Sequence, residues 1–188
     1  MRNGRLTLLL SLGFLVTTLL APALPAQQGS AAPTAGAGQQ SPPATAKADL
    51  TLQTYVNPKP VVVSAGDLKA MPHIPVSIHN PHTNADEAYS GVRLADLLAK
   101  IGAPLGSDLR GKALANYIVA TGSDGYKAVL ALGEIDPAFH PGEVIVADAM
   151  DGKPLDAHSG PFKLVVSEDK RPARAVRNLV SIELKSAQ

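Results

Sequence analysis

His79 and His82 flank Asn80-Pro81 in a polar stretch, and two imidazoles so close can ligate a metal or a small ligand, joined by His158 or Asp86. A metal asks for three or four ligands in set geometry and only two are suggested, so solvated loop histidines are the competing explanation and no metal is expected. Lys170, Arg171, Arg174 and Arg177 form a basic cluster. A guanidinium is a planar fork of donors that fits an oxyanion, and Arg174 and Arg177, three apart, converge if the segment is helical or turned. The alternative is a solvated charged loop before an edge strand. Asp124, Gly125 and Tyr126 can line a pocket, although a hairpin turn accounts for Asp124-Gly125 and leaves Tyr126 as a core residue opening a strand. His158 and Asp156 precede Gly160-Pro161 in a loop. There is no nucleophile elbow with Ser-His-Asp order, no phosphate-cradling glycine loop and no suggestive carboxylate pair.

The composition narrows the classes. The chain has no cysteine, which excludes disulfides, thiolate metal sites and a cysteine nucleophile. It has 17 Lys+Arg against 16 Asp+Glu, so no basic excess points to nucleic acid. Arg2 and Arg5 precede an apolar run from Leu6 to Leu20, followed by small residues with cleavage fitting after Ala26 or Ala23. Residues 1–26 read as a secretory signal peptide; the run is short for a span and is soon followed by Pro22 and Pro25, so no membrane protein is expected after cleavage. No arginine pair precedes the run, which favours the general secretory route and a periplasmic or secreted product. Residues 27–47 are Gln, Ala, Gly, Ser, Pro and Thr with almost no large apolar side chains, and read as a disordered linker. Residues 48–188 are long enough for one domain with a core.

The elements that must position these residues are short. Leu50 to Val56, Val61 to Val63, Ile74 to Ile78, Leu114 to Ala120, Tyr126 to Leu132, Val144 to Ala149, Phe162 to Val166 and Val176 to Leu184 read as strands. Ser64 with Asp67 opens a short helix that Pro72 ends. Val92 to Ile101 is the clearest helix, with Leu94, Leu97, Leu98 and Ile101 on one face and Gly102 at its C-terminal cap. Leu132 to Phe139 reads as a helical turn broken by Pro137, and Asp151-Gly152 as a second tight turn. The polar, proline-containing stretch His79 to Ala88 reads as a loop. Many short strands and a few short helices, without regular β-α alternation, argue for an α+β fold with a mixed sheet.

Four motifs in order make the chain familiar: Tyr89-x-Gly91-Val92-x-Leu94; Asp124-Gly125-Tyr126; Asp151-Gly152-Lys153-Pro154-Leu155 leading to Gly160-Pro161-x-x-Leu164-Val165-Val166; and the stretch from Lys170 to Arg177 before a last strand. From about Leu50 to Leu184 the chain resembles the oxidoreductase molybdopterin-binding domain, the core of the sulfite oxidase and methionine sulfoxide reductase catalytic subunits. It looks most like small, exported, stand-alone members. The resemblance implies the sulfite oxidase type of α+β fold. It also implies a pterin cofactor bordered by the loops of Asp124, Tyr126 and His158, with its phosphate held near Lys170 to Arg177.

In catalytic members a cysteine sulfur binds molybdenum in the loop before the Gly-Val element, and here the nearest residue to that place is His79. An imidazole is a different ligand from a soft thiolate. The resemblance also implies cofactor insertion before export, which a leader for unfolded chains does not serve. The expectation is therefore a non-catalytic exported relative without bound cofactor, molybdopterin being possible but disfavoured, that binds a small anionic ligand or a partner. Two alternatives stand beside it. One is an active molybdopterin oxidoreductase with a substituted metal ligand. The other is a periplasmic interaction module, its pocket vestigial, beside a membrane redox or signalling protein.

Overall fold

A computed structural model describes residues 49–57 and 59–188. The expected leader (1–26) and linker (27–47) lie outside the described residues. In chain order the strands and helices are β1 (Asp49–Thr54), β2 (Val61–Ser64), α1 (Ala65–Lys69), β3 (Ile74–Asn80), β4 (Ala85–Arg93), α2 (Leu94–Lys100), β5 (Asn116–Gly122), β6 (Lys127–Ala131), α3 (Leu132–Ile135), β7 (Val144–Met150), β8 (Lys153–Pro154), β9 (Lys163–Val166) and β10 (Leu179–Ser186).

Two five-stranded sheets result. One runs β2-β1-β10-β5-β6; the other runs β3-β4-β7-β8, with β9 also on β7. The β1–β10 pair is parallel and the remaining ladders are antiparallel. In β5 burial alternates strictly, so Ile118 and Ala120 enter the core while Tyr117 and Val119 stay partly exposed. The core gathers Leu50 and Leu52 of β1, Ile182 and Leu184 of β10, and Leu94, Leu97 and Leu98 of α2, all at most 1 % exposed. β7 is buried continuously from Val144 to Ala147. Its two faces are covered separately, Val146 by the main core and Ile145 and Ala147 by a smaller cluster with Val76, Tyr89 and Val165. A strand covered on both sides loses its polar alternation.

Two local features hold β4 in place. The β4–β7 register shifts between Ser90 and Gly91, and a Cβ on Gly91 would fall 2.2 Å from the Val146 carbonyl oxygen, so only glycine permits this approach. Between β7 and β8, Asp151 (φ 50°) and Gly152 (φ 73°) both adopt the left-handed conformation of a two-residue hairpin turn. The Asp151 carboxylate then accepts the Ala88 N–H, tying this turn to β4.

The capping box at α1 forms as expected, with Asp67 N–H donating to Ser64 Oγ and Ser64 N–H to Asp67. The expected loop from His79 to Ala88 is instead a hairpin. β3 continues to Asn80, β4 starts at Ala85, and the pairs Ile78–Glu87, His79–Asp86 and Asn80–Ala85 close around a tip in which Asn84 has φ 51°. β7 pairs with β4 only from Tyr89 onward, so this arm overhangs the second sheet. Most of its side chains are exposed, with Asn80 and Glu87 only partly so, on an extended ladder that a hydrophobicity pattern cannot tell from a loop. The helix expected from Val92 starts at Leu94, because Val92 and Arg93 are spent on the β4–β7 ladder.

Candidate functional site

The overhanging arm forms one wall of a cavity of about 640 Å³. The other walls are the β5–β6 turn, the loop before β9, and the segment from Pro172 to Arg177 before β10. The chain meets itself here from distant positions. Ser123 N–H donates to the Asn178 carbonyl (2.9 Å), and Asn178 donates through its backbone to the Ser159 carbonyl and through Nδ2 to the His158 carbonyl (both 2.9 Å). Asp156 holds the same loop by accepting the Ser159 N–H (2.8 Å). That bond keeps the exposed Asp156 carboxyl below its ordinary value.

A linked set of side chains occupies one wall. The Tyr89 hydroxyl donates to Glu87 Oε2 (2.6 Å), and Asn80 Nδ2 donates to Glu87 Oε1 (2.6 Å). Lys163, the first residue of β9, donates through Nζ to the Tyr89 hydroxyl and sits 4.3 Å from the centre of the Tyr89 ring. Burial pushes the Lys163 ammonium below its ordinary value, and Arg177 adds to this against the opposing fields of Glu87 and Asp156. Burial likewise raises the Tyr89 phenol, with Glu87 reinforcing it. Burial alone would raise Glu87, but the hydrogen bonds from Asn80 and Tyr89 and the field of Lys163 outweigh it and hold the carboxyl below its usual range.

The residues singled out from the sequence divide. His79, His82, Asp124, Tyr126, His158 and Arg177 line the cavity. His79 Nδ1 lies 2.9 Å from Asp86 Oδ1, with both side chains more than half exposed. His82 sits at the exposed tip, its N–H donating to Asn80 Oδ1 (2.9 Å). Among the described residues no group of three or more His, Cys, Asp or Glu side chains is placed to hold a metal ion. The Arg177 guanidinium donates to His158 Nε2, which requires the ring tautomer protonated on Nδ1. Tyr126 is not the core residue expected: it is 48 % exposed and donates its hydroxyl to the Ala173 carbonyl. Only Gly125 of the expected Asp124-Gly125 pair has positive φ (83°), and Asp124 Oδ1 accepts the Tyr126 N–H (2.9 Å).

Arg174 does not converge with Arg177. It grips Asp169 with Nε (3.0 Å) and Nη2 (2.6 Å) and Glu134 of α3 with Nη1 (2.7 Å). The hydrogen bonds to Asp169, then to Glu134, hold its guanidinium still more firmly protonated. The short 3₁₀ turn Pro172–Arg174 starts at a proline and is too brief to stack the two arginines on one side. Lys170 and Arg171 are exposed and outside the cavity lining.

The motifs did not point to Lys163, Glu87 or Asn80, and Tyr89 stood out only as the start of a fold motif, not as a site residue. The available signal was a single lysine opening an otherwise apolar strand, Phe162-Lys163-Leu164-Val165-Val166, since burying an amine in such a setting is costly without a purpose.

Residues 39–188 match the family described as the oxidoreductase molybdopterin binding domain. No curated protein matches the chain. Among solved structures, the sulfane dehydrogenase SoxCD from Paracoccus pantotrophus is similar in fold, with a TM-score of 0.56 at 18 % identity; the match covers 74 % of this chain and 39 % of that one. The present chain thus spans about two fifths of that chain's length. The donor set does not fit a thiolate-bound molybdenum: the chain has no cysteine, and the exposed ring of His79 already meets Asp86.

Proposed function

The chain belongs to the oxidoreductase molybdopterin binding domain family, and from that premise we propose that it is a non-catalytic, exported member that binds a small anionic ligand in the cavity. One observation carries the reading. Arg177 and Lys163 both line the cavity, and among the described residues neither has a carboxylate within ion-pair distance. Their hydrogen-bond partners are a neutral imidazole nitrogen and a phenol, while Glu87 is occupied by Asn80 and Tyr89. Cations held without counter-charge favour an anion from solution, and a guanidinium fork favours an oxyanion.

The missing thiolate supports a role apart from the metal's chemistry. Export through the general secretory route is the part that rests on the first 26 residues, and N-terminal sequencing of the mature protein tests it: a start at Gln27 or Leu24 is expected, and an intact Met1 contradicts it.

A thermal-shift series with sulfate, phosphate and small carboxylates tests the binding. An anion at 100 times its dissociation constant stabilises the folded protein by about 2.7 kcal/mol. Arg177→Ala is expected to lose most of that shift, whereas Arg174→Ala keeps it despite a lower starting stability. No shift with any anion, or equal loss in both variants, would overturn the reading.

A further inference from the structure

We propose that Lys163 is a carbonyl-reactive amine, and that the cavity takes a small aldehyde or keto acid with an anionic group, held as an imine on Nζ. This rests on the anion-binding reading and adds the chemistry of the ligand's other end.

The geometry of Lys163 sets it apart from an exposed lysine. It is half-buried, its Nζ lies over the Tyr89 ring, and its one hydrogen-bond partner among the described residues is the Tyr89 hydroxyl. The groups that face it are Tyr89 and Glu87 from β4, Asp156 and His158 from the loop before β9, and Arg177 from the segment before β10. Burial disfavours the ammonium and outweighs the two carboxylates. The fraction of Lys163 present as free amine gives one N–H to Tyr89 and keeps its lone pair for an electrophile, while the ammonium form remains a cation of the cavity. Desolvated lysines beside another cation are nucleophiles of this kind. Arg177 then stands in the same cavity to take the anionic group of the carbonyl compound.

The step balances without an oxidant or reductant. The Nζ lone pair forms a bond to the carbonyl carbon, and the carbonyl π pair moves to oxygen. Proton transfer from nitrogen to oxygen gives a carbinolamine. The carbon–oxygen bond then breaks as the carbon–nitrogen double bond forms. Both amine protons leave with that oxygen as water.

Glyoxylate, an aldehyde bearing a carboxylate, is the probe. The full chain is incubated with it and cyanoborohydride, and reduced adducts are mapped by peptide mass spectrometry from neutral to alkaline pH. Burial beside Arg177 favours the free amine, so Lys163 is expected to be modified severalfold faster than the exposed Lys127 or Lys170. Lys163→Arg loses the fast adduct and leaves the slow ones unchanged. Glu87→Gln moves the Lys163 profile to lower pH, because the carboxylate that favoured the ammonium is gone. Modification of Lys163 no faster than that of the other two, or an unmoved profile in Glu87→Gln, overturns the proposal. Acetate separates the two claims. If acetate stabilises the protein through Arg177 and glyoxylate forms no fast adduct, the anion site stands and the imine falls. If neither anion stabilises the protein, both fall.

Discussion

Charge at the scale of single residues has a sign that pH can read. Glu87 and Glu134 both have folded values below the ordinary 4.5, the first through Asn80 and Tyr89 and the second through Arg174, each against the cost of burial. A carboxyl lowered by folding contributes stability that is fully present above its unfolded value and is lost as pH falls through the folded one. The melting temperature is therefore expected to hold at neutral pH and to drop as pH is taken below 4.5, with a shallower drop in Glu87→Gln. Equal slopes in wild type and variant would contradict this. The sequence disclosed half of this site. His79, His82, His158 and Arg177 stood out by type and reached the cavity. Lys163 and Glu87 line it too but did not stand out, because their meaning comes from Tyr89, which links β4 to β9 across 74 positions of sequence.

Elements were legible where periodicity was buried and obscure where it was solvated. α2 shows its Leu94, Leu97 and Leu98 face in sequence because that face meets the core. The overhanging part of the β3–β4 hairpin shows nothing of the kind, having solvent where the rest of its sheet has a neighbour. Arg174 does not converge with Arg177 for a related reason: spacing placed it near Arg177, but the acids of α3 and of the loop after β9 hold it away. It serves instead to fix one cavity wall. The seam that aims the hairpin is Gly91 against β7. Gly91→Ala forces a carbon against the Val146 carbonyl and is expected to cost about 3 kcal/mol in chemical denaturation. A loss under about 0.5 kcal/mol, the range of a surface change, would mean that β4 is free to move and that the seam does not position the site.

The whole molecule has the two-sheet fold of its family. The fold could be named from four motifs because these mark turns and buried strands that define the two sheets: Gly91 at a close approach, Asp151-Gly152 in a tight turn, and Leu164-Val165-Val166 in the core. What fills the cavity was less legible, since a ligand is recognised by side chains that converge only after both sheets form. The cavity of about 640 Å³ is lined by Lys163 and Arg177, neither with a carboxylate in ion-pair distance among the described residues, in a chain with no cysteine. Occupancy in the cell separates a cofactor-free domain from a metal-loaded one. Elemental analysis of the protein purified from its native cells tests this most directly. Molybdenum far below stoichiometry is expected; one molybdenum per chain, retained through gel filtration, would contradict a cofactor-free role.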